Sequence, residues 1–300
     1  MNRNYALAAV LLAFSLVLIL VFVISLIGAT RGEDSLFRIR LPFSKKHIFS
    51  NDNYSTGEID SIDVELLSEA FVISESDDNK IHVKIEEKAF SKMPVVSVKS
   101  KTLFITPGKR NILSFGNHHD AKVCIELPHD TAFKQINVEL KSGSIKVSDI
   151  ELKAKQVSLK SHSGSIKVES VNCDDLSAKS LSGKVKIESL VAKDADCSSI
   201  SGKIKVENLI AENFTADAKS GSIEITAEKV GETAKIQAIS GSVKLSLPKD
   251  ASFSLESSST TGSFNSDFDS FKSGKAFENN GGKAKIFIKT ISGSVKVSAI

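Results

Sequence analysis

The chain of 300 residues has no tryptophan and only two tyrosines, Tyr5 and Tyr54. The large flat rings on which sugar-binding and single-strand-binding surfaces usually stack are scarce, and the seventeen phenylalanines are expected to serve mostly as core. Three cysteines, Cys124, Cys173 and Cys197, form an odd set without C-x-x-C spacing, which suggests neither a zinc site nor a disulfide framework. Cys197 falls in a column otherwise held by Leu, Ala and Ile, so it is expected to be a small buried hydrophobe. Net charge is slight: a formal +3 provides no bulk field that would draw nucleic acid. No helix-period segment intrudes between Asn51 and Lys122.

What is present begins with "YALAAVLLAFSLVLILVFVISLIGAT", Tyr5 to Thr30, a run without a charged residue. About 20 apolar residues cross a hydrocarbon core, so residues 1–30 are expected to form a single transmembrane anchor. A cleaved signal is the alternative, but its apolar region is usually shorter and Ile27 to Ala29 matches a cleavage site poorly. Arg31, Arg38, Arg40, Lys45 and Lys46 follow the run and only Arg3 precedes it, which by charge alone favours a cytoplasmic body. Long domains translocate largely regardless of flanking charge, and the expected location of the body is extracytoplasmic. Residues 31–50, polar and basic, read as a juxtamembrane linker within reach of anionic lipid heads.

Residues 51–122 read as an N-terminal β region. Segments such as "IDSIDVELL", "KIHVKIEE" and "TLFIT" alternate apolar and polar residues, and "SDDNK" and "TPGKR" punctuate them as turns. Residues 123–300 carry a repeat. A Ser-Gly pair recurs with its glycine at Gly143, Gly164, Gly183, Gly202, Gly221 and Gly241, gives way to Thr-Gly at Gly262, and returns at Gly293. The intervals are 21, 19, 19, 19, 20, 21 and 31 residues, too short for a helix pair or a propeller blade and suited to one turn of a β-solenoid.

Two residues after each glycine stand Ile145, Ile166, Val185, Ile204, Ile223, Val243, Phe264 and Val295; two further on the column is again mostly branched and apolar. That is the period of a strand with one dry and one wet face. Three residues before the glycine the column holds small residues, among them Ser161, Ser180 and Ser199, whose hydroxyls need buried partners. Glycine is expected to supply a corner through its permissive φ and its close stacking, and the serine beside it to bond the turn backbone. A phosphate-cradling role does not fit, because no helix follows the glycine. "VCIELPHDTAF" from Val123 and "VKLSLPKDASF" from Val243 echo one another and mark two turns of related design.

The Val-x-Ile-x-Leu-Pro element, the chain of Ser-Gly-x-Ile-x-Val units and the closing "KIFIKTISGSVKV" resemble the bacterial putative-adhesin family of β-strand-repeat proteins, a domain of unknown function, over roughly Glu58 to Ile300. The resemblance implies an exported or membrane-anchored solenoid, in some members associated with envelope-stress systems, and it carries over no catalytic residue.

The expected fold is therefore all-β: a β-solenoid, parallel β-helix-like, of about eight repeats of ~20 residues, preceded by one transmembrane helix. The most suggestive surface is a lysine ladder, Lys146, Lys167, Lys186 and Lys205, joined by Lys184 and Lys203, which could hold an anionic envelope polymer. Glu169, Glu188 and Glu207 share its wet face and would cancel the field. Leu181, Ile200, Ile239 and Ile291 either turn inward at the corner or form an apolar strip for a partner. His118, His119, Asp120, His129 and Asp130 cluster in sequence, but adjacent side chains on an extended chain point apart, and no metal is expected. Acids are spread singly along the repeats, so neither catalysis nor a cofactor is expected. The expected function is binding or structural display at the cell envelope, through a polymer or protein partner and without nucleic acid. A filament scaffold resembling bactofilins and an envelope-stress regulator are the alternatives.

Overall fold

A computed structural model describes residues 47–87, 93–108, 122–268 and 276–300. The expected anchor, nearly all of the expected linker, and His118, His119 and Asp120 lie outside these residues. The chain divides into Met1–Ser44 and Lys45–Ile300, and the second unit is described here.

Every regular element among the described residues is a strand. The first eight are β1 (His47–Ser55), β2 (Ser61–Leu66), β3 (Ala70–Glu75), β4 (Lys80–Glu87), β5 (Val95–Lys99), β6 (Thr102–Thr106), β7 (Lys122–Leu127) and β8 (Ala132–Leu140). Four long strands follow: β9 (Ile145–Ser161), β10 (Ile166–Ser180), β11 (Val185–Ser199) and β12 (Ile204–Ala218). The remainder are β13 (Ile223–Lys229), β14 (Thr233–Ser240), β15 (Val243–Leu247), β16 (Phe253–Thr261), β17 (Phe264–Ser266), β18 (Ala276–Asn279), β19 (Ala284–Ser292) and β20 (Val295–Ala299).

Each long strand bends twice within its length. In β10 the inward residues are Ile166 and Val168, then Val171 and Cys173, then Leu176, Ala178 and Ser180; strict alternation skips one residue at Glu169–Ser170 and again at Asp174–Asp175. Two successive outward side chains mark a bend, because a residue that breaks the two-residue period must turn the strand. A turn thus has three faces, and the Ser-Gly corner closes it. Parallel ladders join Ile166 to Val185, Val185 to Ile204 and Ile204 to Ile223, so the branched columns lie over one another in a continuous dry interior. The 21-residue first interval has its own cause: two residues are added around Asp149, whose φ is 63° and whose N–H donates to Glu169.

The order of strands departs from the order of the chain at both ends. Face 1 runs β1, β4, β7, β3, then the first segments of β9 to β12, then β13, β15, β20, β17. Face 3 runs β5, β6, β2, β8, then the last segments of β9 to β12, then β14, β19, β16, β18. All neighbours are parallel except β1–β4, β4–β7, β5–β6 and β16–β18. The arch β2–β3 therefore lies between β6–β7 and β8–β9, both formed later in the chain, and β19–β20 fills the slot between β14–β15 and β16–β17.

Both slots are opened at a Leu-Pro step. After Leu127-Pro128 the chain passes over the place of β2, and after Leu247-Pro248 it passes over the place of β19. Proline ends its strand because it lacks the N–H a ladder needs. The vacated carbonyls are then used by the inserted arch: Ser76 N–H donates to Leu127, and Ile300 N–H donates to Leu247. This corrects the expectation that the glycine of each repeat lies on that of the one before. Gly241 neighbours Gly293, and Gly293 neighbours Gly262. It also makes the described strands within residues 51–122 part of the same stack: β2 and β3 line up with Leu140 and Ile145 of the repeats, and β1 already begins at His47, inside the expected linker.

Candidate functional site

The corner is built from residues three apart. Ser180 Oγ donates to the carbonyl of Gly164 in the preceding turn at 3.0 Å and accepts the N–H of Gly183 in its own turn at 2.8 Å. Ser161 and Ser199 repeat both bonds with Gly143 and Gly164, and with Gly183 and Gly202. The serine beside each glycine, Ser163 or Ser182, is exposed, so the expected turn-capping hydroxyl is the one three residues earlier. Glycine is required at these corners by contact and not by φ: Gly164, Gly183 and Gly202 do not have positive φ. The column starts on Glu69, in register with Gly143, which can carry a side chain; its carboxylate accepts the N–H of Leu67 and of Ser68.

Ser180→Ala should lower stability by about 1–3 kcal/mol, because it leaves a buried carbonyl and a buried N–H without partners. Ser259, in the same column, has a shielded hydroxyl with no partner, and Ser259→Ala should be neutral or mildly stabilising. Urea unfolding midpoints of the two variants check the contrast.

On face 1 the predicted lysines do form a row. Lys146, Lys167, Lys186 and Lys205 are ladder partners, continued by Glu224 and Lys244. A second row, Glu169, Glu188 and Glu207, runs beside it, and the two interlock diagonally. Lys186 lies 2.8 Å from Glu188 of its own turn and 3.6 Å from Glu207 of the next; Lys205 lies 2.6 Å from Glu207 and 3.5 Å from Glu224. Lys203 also pairs with Glu224, whereas Lys184 is exposed.

Hydrogen bonds from Lys186 and Lys205 hold the Glu188 and Glu207 carboxyls below their ordinary value of 4.5, and the same bonds raise both lysines above 10.5. A depressed carboxyl stabilises above its unfolded value and loses that contribution as pH falls through the folded one. A raised lysine stabilises below its unfolded value and loses it as pH rises through the folded one. The ladder is thus intact between these limits. The Glu188→Gln, Glu207→Gln double variant should be less stable than the parent at pH 7, and the difference should shrink as pH falls through the depressed carboxyl values, as measured by urea unfolding.

The corner residues Leu181, Ile200, Ile239 and Ile291 are between 39% and 47% exposed, so they do not turn inward. Insertion of β19 makes Ile239 and Ile291 neighbours, since Ser240 pairs with Ser292. His129 pairs with Glu75 and Asp130 with Lys153, both at the surface. Cys173 and Cys197 are buried, and loss of hydration pushes both thiols up to about 12.

Face 3 carries two concavities that sequence reasoning missed. One, of about 370 Å³, is bordered by the ladder column Gln135, Gln156, Asp175, Asp194, Asn213 and by the next outward column, Ser158, Ser177, Asp196, Thr215. The other, of about 690 Å³, lies along the same face over Lys235, Phe287 and Glu256. The two are consecutive, because Thr215 pairs with Lys235, and Lys235 with Phe287.

These features define an all-β protein whose long sheet is largely parallel and built from repeated, solenoid-like turns. The chain belongs to the family described as Toastrack DUF4097, matched over residues 59–298. Among solved structures it is similar to a putative adhesin from Bacteroides fragilis, at 20% identity and a TM-score of 0.54, over 85% of this chain and 98% of that one. A putative adhesin from Parabacteroides distasonis shares 13% identity at a TM-score of 0.47, covering 84% and 96%. A protein described as a putative lipid binding protein from the same species shares 16% at 0.45, covering 84% and 96%. No curated protein matches the chain.

Proposed function

We propose that this chain is a non-enzymatic, membrane-anchored repeat protein that displays its outer faces for binding at the cell envelope. The observation that carries the proposal is the in-register stack, which repeats its outward columns at every ladder step of about 4.8 Å. Such a surface offers an extended partner many equivalent contacts and gives a small molecule no single convergent pocket. The description of the similar Bacteroides fragilis structure as a putative adhesin is in keeping with this reading. Tyr5–Thr30 supplies the anchor, and the body lies outside the cytoplasm. The lysine row contributes a salt-sensitive contact only, since an acidic polymer has to displace Glu188 and Glu207 to reach it.

The test is retention. The full-length chain, reconstituted in lipid vesicles, should sediment bacterial envelope fragments that vesicles without protein leave in solution. Equal retention by both kinds of vesicle overturns the proposal.

A further inference from the structure

We infer that the outer surface of face 3 is a groove for a linear glycan without acidic groups, with Phe287 as its stacking ring. The inference rests on the reading of the chain as a binding protein and names the ligand class. Four observations carry it.

The first is chemical. The smaller concavity presents amides, carboxylates and hydroxyls, most of them on short side chains, beside Val157, Leu176 and Ala195: Asp175, Asp194, Asp196 and Asn213 stand around Ser177, with Gln156 next to them. These groups accept and donate in the planar, paired geometry that sugar hydroxyls require, and short side chains lose little entropy on binding. The amides are already oriented. Asn213 Nδ2 donates to Asp194 Oδ1 at 3.0 Å and Gln156 Nε2 donates to Asp175 Oδ2 at 3.4 Å, so the free amide oxygens and second carboxylate oxygens remain for a ligand.

The second is the ring. Phe287 is 37% exposed, while its strand neighbours Ile286 and Ile288 are buried in the interior. An apolar ring held on an otherwise polar face, between Lys235 and Glu256, costs solubility and offers the flat surface against which a sugar packs.

Third, the two features are continuous. From Ser158 to Glu256 the outward column advances six ladder steps, roughly 29 Å at about 4.8 Å per step. A chain of sugars fits that track; a compact ligand does not.

The fourth is charge. The smaller concavity is lined by three carboxylates and by no lysine or arginine; Lys179 pairs with Asp196 at 2.6 Å, and Asp175 and Asp194 leave the concavity acidic, which disfavours a polyanion there. The lysine row lies on face 1, and the two surfaces are electrostatically distinct.

The experiment titrates the full-length chain in detergent with cellohexaose, chitohexaose, the hexamer of glucosamine and hexagalacturonate, followed by calorimetry. At least one of the three non-acidic hexamers should bind, and hexagalacturonate should not. Phe287→Ala should weaken that binding by about tenfold or more, the scale of losing one stacking ring. Asp194→Asn together with Asn213→Ala should weaken it too, whereas Ile200→Ala, on the exposed corner strip, should leave it unchanged. Phe287 and Asp194 face outward, and unchanged urea midpoints for their variants separate lost binding from lost fold. If no non-acidic hexamer binds, if only hexagalacturonate does, or if Phe287→Ala binds like the parent, the glycan assignment falls. Retention of envelope fragments by the same protein would then show that the broader binding reading survives without it.

Discussion

Replacing Gly183 by alanine should destabilise the protein by about 4 kcal/mol or more, the range reserved for changes a fold cannot absorb. A Cβ placed there would sit 2.0 Å from the carbonyl oxygen and 2.4 Å from the carbonyl carbon of Gly164. Both obstacles are backbone, locked in the parallel ladder between β10 and β11, so no rotamer change relieves the clash. Relief requires the two turns to separate at the corner, which also breaks the bond that Ser180 Oγ donates to the Gly164 carbonyl. Ser182→Ala, one residue away on an exposed side chain, should remain within about 0.5 kcal/mol of the parent. Urea unfolding of both variants reads the difference directly, and an alanine at Gly183 tolerated as easily as one at Ser182 would refute the stacked-corner account.

Removing Gly282–Ile300 should be more damaging than trimming any terminus that ends at the edge of a sheet. These residues form β19 and β20, and Ile286, Ile288, Val295 and Val297 are at most 2% exposed. Burial of four such side chains contributes roughly 6–12 kcal/mol before entropy is counted. Their loss also strips ladder partners from both sides of the vacated slot, since β14 and β16 each pair with β19 while β15 and β17 each pair with β20. Hydrogen exchange on the truncated chain should show Phe253–Ser266 unprotected and β10 to β12 still protected, because a stacked array transmits stability between nearest neighbours. Uniform protection throughout would mean that β16 had closed directly onto β14.

Much of this architecture is legible from the residues. Glycine at near-constant spacing, with Ile or Val two places on, can be stacked in only one register without burying lysine, and Ile166, Val185 and Ile204 are ladder partners as that argument requires. The lysine row is legible for the same reason. Its interlocking with Glu188 and Glu207 is half legible: the two rows share a face by alternation, but the diagonal contact to the following turn depends on side-chain reach.

The insertions are not legible. "KIFIKTISGSVKV" has the pattern of any other repeat, and nothing in a repeat says which neighbour it will have. The long interval before Gly293 and the twice-used Leu-Pro step were the available signals, and their meaning is topological, set by which open ladder edges the returning chain can satisfy. Glu69 hides a corner because it stands where the later turns have glycine, its carboxylate folded back onto the N–H groups of Leu67 and Ser68, so that no Ser-Gly pair marks it. The groove on face 3 was hidden for a different reason. Its columns change identity along the stack, from Gln156 to Asp175 and Asp194 and then to Asn213, so that alignment on glycine shows no column of a single residue type there. Phe287 read as one more apolar residue in an alternating strand; the structure puts it on the wet side.

The inserted arch ties folding to the timetable of synthesis. Strands β19 and β20 are made after β14 to β17, yet their seats lie between those pairs. The central turns can condense as they emerge, each on its predecessor, while β14 to β17 must wait with an open seam until β19 and β20 have been made. A nascent chain stalled before Ala284 is therefore a different object from the finished one: zipped in the middle and unsealed at the tip.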